Sequence, residues 1–114
     1  MEIQSWDTEA FDCGIAQGMP LTMVEFYTEN CPFCKNLAKT FEQLARDWEG
    51  RAVFAKVDLG KESSPAARYR IRSVPTVMVF ANGELVGRSS GAVSRRTLTE
   101  LLEKASSHGT VEKE

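Results

Sequence analysis

The 114-residue sequence has one histidine, three cysteines and no long apolar run. No stretch approaches the roughly 18 apolar residues that span a bilayer, so no membrane partner is expected. Charge of one sign is not in surplus either. Fourteen lysines and arginines against sixteen aspartates and glutamates leave a net charge of −2. With no basic excess to hold phosphates, nucleic-acid binding is disfavoured. The opening MEIQSWDTEAFDCG is acidic, with no basic segment leading into an apolar one. No signal peptide is visible there, which points to the cytoplasm. An odd cysteine count argues against a disulfide scaffold. A structural zinc site needs four ligands, and the chain offers only its three cysteines and His108 near its end.

What is present suffices for one core. At 12.7 kDa, surface scaling gives roughly 6,200 Å² folded against roughly 18,400 Å² unfolded, so about two thirds is buried. Hydrophobic residues make up 42% of the chain, enough to fill such a core without staples. No repeat, low-complexity tract or linker divides the sequence. One domain over residues 1–105, a flexible tail over 106–114 and a monomeric protein are expected.

The elements can be read in order. Asp7 is placed to cap a short helix in which Phe11 and Ile15 share a face, ended by Gly18 and Pro20. Residues 21–28, LTMVEFYT, predict a strand with few solvent-facing positions, hence a central one. Over 32–48, Phe33, Leu37, Phe41, Leu44 and Trp48 recur at helical spacing, and Gly50 stops that helix. AVFAKVD, 52–58, is the next strand. Ser64 and Pro65 predict a cap and a first-turn proline for a short helix through Tyr69. Two apolar runs, 76–81 and 85–90, flank Asn82-Gly83, a strong hairpin signal. Ser94 caps a last helix with Leu98, Leu101, Leu102 and Ala105 in one stripe. Strand, long helix and strand make a parallel crossover, and the hairpin adds antiparallel pairing. The fold class is therefore α/β, a central mixed sheet flanked by helices.

The chemistry sits between the first central strand and the long helix. Cys31 and Cys34 form a C-x-x-C, with Cys31 at the N-cap and Pro32 at the first helical position. A sulfur there faces the free N–H groups of Phe33 and Cys34 and the positive end of the helix dipole. Such a setting favours the thiolate, which is the nucleophile. Cys34, one turn inside, is expected to be less exposed. A nucleophile with a resolving thiol is the natural reading. An inert pair of core thiols and an iron–sulfur cluster shared between two chains are the other uses of such a pair.

Together the stretches VEFYTENCPFCK, AKVD and YRIRSVPTVMVFANGELVGRSSGAVS resemble the thioredoxin family over nearly the whole chain. The resemblance implies that Cys31 attacks and Cys34 resolves, forming the redox-active disulfide between them. It implies substrate contact at Phe33, Val74, Pro75 and Gly91, with Val74-Pro75 as a cis dipeptide. On sequence alone an X-Pro bond is trans about 95% of the time. Glu25 matches the family's buried acid that moves a proton for the resolving cysteine, and Lys56 a lysine near it. A glutamate pointing to solvent, and a lysine snorkelling without a partner, are the alternatives. Gly83 matches the hairpin glycine.

Departures from the family pattern bear on partner choice. Asn30 stands where a tryptophan is usual, Tyr27 replaces another, and Lys39 replaces a mid-helix proline. Pro32-Phe33 is similar to the Pro-aromatic pair of glutaredoxins. A mildly positive rim from Lys35 and Arg72 is one reading and an ordinary solvated face the other, and Cys13 is read as a partly exposed bystander. The implied activity is reduction of protein disulfides through a mixed disulfide. No bound cofactor is implied, with electrons from an NADPH-dependent thioredoxin reductase or from glutathione. A glutaredoxin-like enzyme, an oxidant or isomerase, and a non-catalytic interaction module are the competing functions.

Overall fold

The computed structural model describes residues 3–91 and 93–112, with side chains described through residue 107. Its elements are β1 (Ile3–Ser5), α1 (Thr8–Ala16), β2 (Thr22–Tyr27), α2 (Pro32–Asp47), β3 (Val53–Asp58), α3 (Ser64–Tyr69), β4 (Thr76–Ala81), β5 (Glu84–Ser90) and α4 (Arg95–Glu112). The sheet order is β1-β3-β2-β4-β5. β1 and β2 pair parallel with β3, while β2–β4 and β4–β5 are antiparallel. The mixed sheet expected from the sequence is the sheet found.

Why β2 is central is clear from its side chains. All of its residues but Tyr27 are buried. Alternate positions feed two cores, as the pleat requires. Met23 joins Leu37, Phe41 and Leu44 of α2 and Leu98 and Leu102 of α4 on one face. Val24 and Phe26 join Phe11 of α1 and Tyr69, at the end of α3, on the other. Phe11 is the hub of that second core, with edge-on contacts to Phe26, Tyr69 and Phe80 at 5.7 to 6.0 Å between ring centroids. The total accessible surface is 6637 Å², close to the value that the mass implies.

Several local signals act as read. Asp7 caps α1 by accepting from the Ala10 N–H, and Ser94 accepts from the Thr97 N–H at the start of α4. Asn82 and Gly83 both take positive φ, 55° and 86°, as a two-residue hairpin turn of the primed type demands. α2 runs without interruption from Pro32 to Asp47, as expected with Lys39 in place of a proline.

Other expectations are corrected. β1 has no counterpart in the sequence reading; three residues are too few to show a period. Ser64 is the first residue of α3 and not its cap. Ser63 holds the cap position without a side-chain hydrogen bond, because its backbone is already in the helical region. The helical backbone of α4 continues past Ala105, where the apolar stripe ends, to Glu112. The side chain of His108, and residues 113 and 114 of the expected tail, lie outside the described residues. Among the described residues no helix is long and apolar enough to cross a membrane.

Candidate active site

Cys31 occupies the N-cap of α2 in extended conformation, with Pro32 in the first helical turn. Its Sγ accepts a hydrogen bond from the Cys34 N–H at 3.1 Å. Of the two amides expected at the sulfur, only that of Cys34 makes the bond. Helix capping is usually done by oxygen; here a sulfur does it, so the Cys31 Sγ is held by the same contact that starts the helix. All three cysteines are free thiols. Cys31 is 8% exposed and Cys34 5%, so the expected order holds by a narrow margin. Cys13 is exposed on α1.

The loop before β4 forms the other wall. The Val74-Pro75 peptide bond is cis, as the resemblance implies. The Cys31 thiol donates to the Val74 carbonyl oxygen at 3.7 Å. The resemblance already implies that this loop lies beside Cys31; the hydrogen bond itself is read from the structure. Gly91 donates its N–H to the Pro75 carbonyl at 2.7 Å and has φ 84°, a left-handed conformation that favours glycine. Phe33 is 57% exposed on the first turn of α2. Its ring lies outside both buried core clusters.

Behind the cysteines lies a buried acid. Glu25 is 4% exposed, which removes the solvent-facing alternative. Burial raises its pKa from 4.5 to about 7, and the charge of Lys56 works against that rise. Lys56 is the register partner of Glu25 on β3. Among the described residues the two form no direct ion pair. The Lys56 ammonium sits 5.6 Å from the centroid of the Tyr27 ring, a contact the sequence did not reveal. A cleft of about 240 Å³ is lined by Glu25, Tyr27, Cys34, Lys35 and Lys56, among others. It joins the acid and the inner thiol with room for several waters.

The Cys34 thiol is pushed up to about 12. Burial is the largest cause, followed by its hydrogen bond to Cys31; the backbone of Thr28 works the other way, and the charges of Cys31 and Glu25 add to the rise. The two thiols are therefore unequal by position. One caps a helix beside the Val74-Pro75 loop, and the other stays protonated inside until something lowers its cost of ionising. Among the described residues no three His, Cys, Asp or Glu side chains gather as a metal site.

Comparison with known proteins fits this geometry. The thioredoxin family model matches residues 2–104. Thioredoxin of Staphylococcus aureus is 37% identical over 94 residues, covering 82% of this chain and 88% of its own. A mutant thioredoxin from Halobacterium salinarum NRC-1 superposes with a TM-score of 0.82 at 27% identity, over 92% of this chain and 91% of that one. Chloroplastic thioredoxin z superposes at 0.84 and 21% identity, over 94% of this chain and 96% of its own, which is a likeness of fold alone.

Proposed function

The chain belongs to the thioredoxin family and is a protein-disulfide oxidoreductase, and on that premise we propose that it works as a reductase, with Cys31 attacking and Cys34 resolving. The observation that carries this reading is the Cys31 sulfur at the head of α2, bonded to the Cys34 amide and facing the Val74 carbonyl.

The cycle balances as two electrons and two protons. The deprotonated Cys31 sulfur attacks one sulfur of the target disulfide. That S–S bond breaks, the second target sulfur leaves and takes up a proton, and Cys31 is held in a mixed disulfide. Cys34 then yields its proton and attacks the Cys31 sulfur. The target's first sulfur leaves as a thiol, and Cys31–Cys34 becomes the disulfide. Bonding Cys31 to the target removes both its hydrogen bond and its charge as influences that hold Cys34 protonated. Resolution is thereby favoured only after the first attack. Glu25, at about 7, is suited to receive the Cys34 proton through the shared cleft. Phe33, Val74, Pro75 and Gly91 form the substrate face, where an extended target segment would pair with the Val74 backbone.

Thioredoxins work without a bound cofactor. We assign the electrons that restore the dithiol to an NADPH-dependent thioredoxin reductase, in the reducing setting of the cytoplasm. The protein acts as a monomer on disulfide-containing proteins. Insulin reduction tests the assignment. Cys31→Ser abolishes turnover, and Cys34→Ser accumulates a mixed disulfide that stops at one bond. An adduct trapped by Cys31→Ser and not by Cys34→Ser reverses the roles. Faster recycling by glutathione than by NADPH with thioredoxin reductase moves the enzyme to the glutaredoxin class.

A further inference from the structure

Beside the cis-Pro loop the molecule carries charge that the reduction cycle leaves unused. Arginines stand at positions 68, 70, 72 and 88, around the end of α3 and the segment leading to Val74. Two of them are already engaged. Arg68 pairs with Asp12 at 2.8 Å. Arg88 reaches from β5 to donate to the Tyr69 carbonyl at 2.7 Å, beside Arg70. Arg70 and Arg72 are exposed, and among the described residues neither side chain has an ion pair or a hydrogen bond.

Their position gives that free charge a use. Arg72 precedes Val74 by two residues, so the two Cα atoms lie within about 7 Å. Val74 is the residue whose carbonyl meets the attacking sulfur. Arg70 stands at the end of α3 in the left-handed region, φ 55°, which residues bearing a Cβ rarely adopt. The other flank of the site is different. There Glu25, Glu29 and Asp58 surround Tyr27, while Lys35 and Lys56 line the adjoining cleft, so opposite charges nearly balance. On the arginine side, Arg70 and Arg72 are exposed cations that no acidic side chain pairs among the described residues. Because the chain as a whole is at −2, attraction of an anionic partner must come from these side chains at contact range.

We propose that Arg70 and Arg72 form a docking surface for acidic residues next to the target disulfide, so that the enzyme prefers disulfides flanked by Asp or Glu. This rests on the reductase reading above and names the class of substrate it favours. Both arginines are solvated, so each pairing contributes modestly. The preference is one of selection among targets, not of activity itself.

The test uses three disulfide-bridged peptides that differ only in the residues flanking the bridge, which are aspartate, serine or lysine. The pre-reduced protein is mixed with each, and the second-order rate is followed at about 20 mM and about 500 mM salt. The aspartate peptide should react roughly 3- to 10-fold faster than the lysine peptide at low salt, the worth of two exposed ion pairs. The ratio should shrink at high salt and approach unity in the Arg70→Gln/Arg72→Gln double variant, with Arg72→Gln alone between. Equal rates for all three peptides at low salt, or a preference that survives in the double variant, overturns the proposal. If none of the three peptides is reduced, the reductase reading fails first and this proposal falls with it.

Discussion

The Cys31 thiol donates a hydrogen bond to the Val74 carbonyl, 3.7 Å away in space and 43 residues along the chain. The antiparallel pairing of β2 with β4 sets this meeting. Phe26, five residues before Cys31, is in register with Thr76, the residue after Pro75. Cys31 and the Val74-Pro75 loop are thus fixed to the same end of the two central strands.

Gly91 ties that wall to β5 through its bond to the Pro75 carbonyl. A Cβ at this position would meet nothing within 4 Å, so space is not the constraint. Its φ of 84° is. Gly91→Ala should therefore cost about 1–2 kcal/mol from backbone strain alone, measured as a lower urea midpoint with an unchanged slope. It should also raise the KM for a protein disulfide. A variant as stable as the parent would mean that the loop adapts without strain.

Glu25 makes stability depend on pH. Its folded pKa, about 7, lies above the ordinary 4.5. The folded protein therefore holds this proton more tightly than the unfolded chain. That contribution is complete below about 4.5 and is lost as pH rises through about 7. The shift corresponds to a loss of roughly 3 kcal/mol at most. Glu25→Gln should be more stable than the parent at pH 8 by up to that amount, and nearly equal at pH 4. Denaturant unfolding across that range gives the difference, and a gap that does not change with pH would contradict it.

The same substitution separates the two chemical steps. Glu25→Gln should leave the first attack on a disulfide nearly unchanged and slow the release of reduced target. Proton transfer of this kind is worth at most ~10²–10⁴-fold, and the lower end is expected for transfer through a solvated cleft. Stopped-flow traces between pH 6 and 8 resolve the two phases. Identical pH profiles for variant and parent would take Glu25 out of the mechanism.

Phe33 has an exposed ring on the first turn of α2 and belongs to neither buried core cluster. Phe33→Ala should change stability by no more than about 0.5 kcal/mol, as surface substitutions do. It should weaken reduction of a folded protein disulfide several-fold while sparing a small organic disulfide. Equal loss on both substrates would mean that the ring supports the thiols and not the partner.

Signals that act within a few residues were legible in the sequence. The Cys31 cap, the first-turn Pro32 and the Asn82-Gly83 turn depend on neighbours in the chain, so their chemistry is local. The long stripe of α2 and the largely apolar run of β2 announced a helix on a sheet for the same reason. β1 escaped notice because Ile3–Ser5 has no period of its own, and its strand exists only through pairing with β3. Ser64 misled because a cap is defined by backbone angles as well as residue type, and Ser63 holds the position.

The sequence by itself determined which sulfur starts the long helix and on which kind of sheet that helix packs. Only the tertiary structure decided what those groups meet. A glutamate on a strand is neutral or charged according to the depth at which the sheet and α2 bury it, and Glu25 rises to about 7 for that reason. Lys56 rests over Tyr27, and Val74 turns its carbonyl to Cys31, because strands distant in sequence lie side by side. Helix starts and turns depend on neighbours along the chain, whereas burial and charge act across the space between its strands.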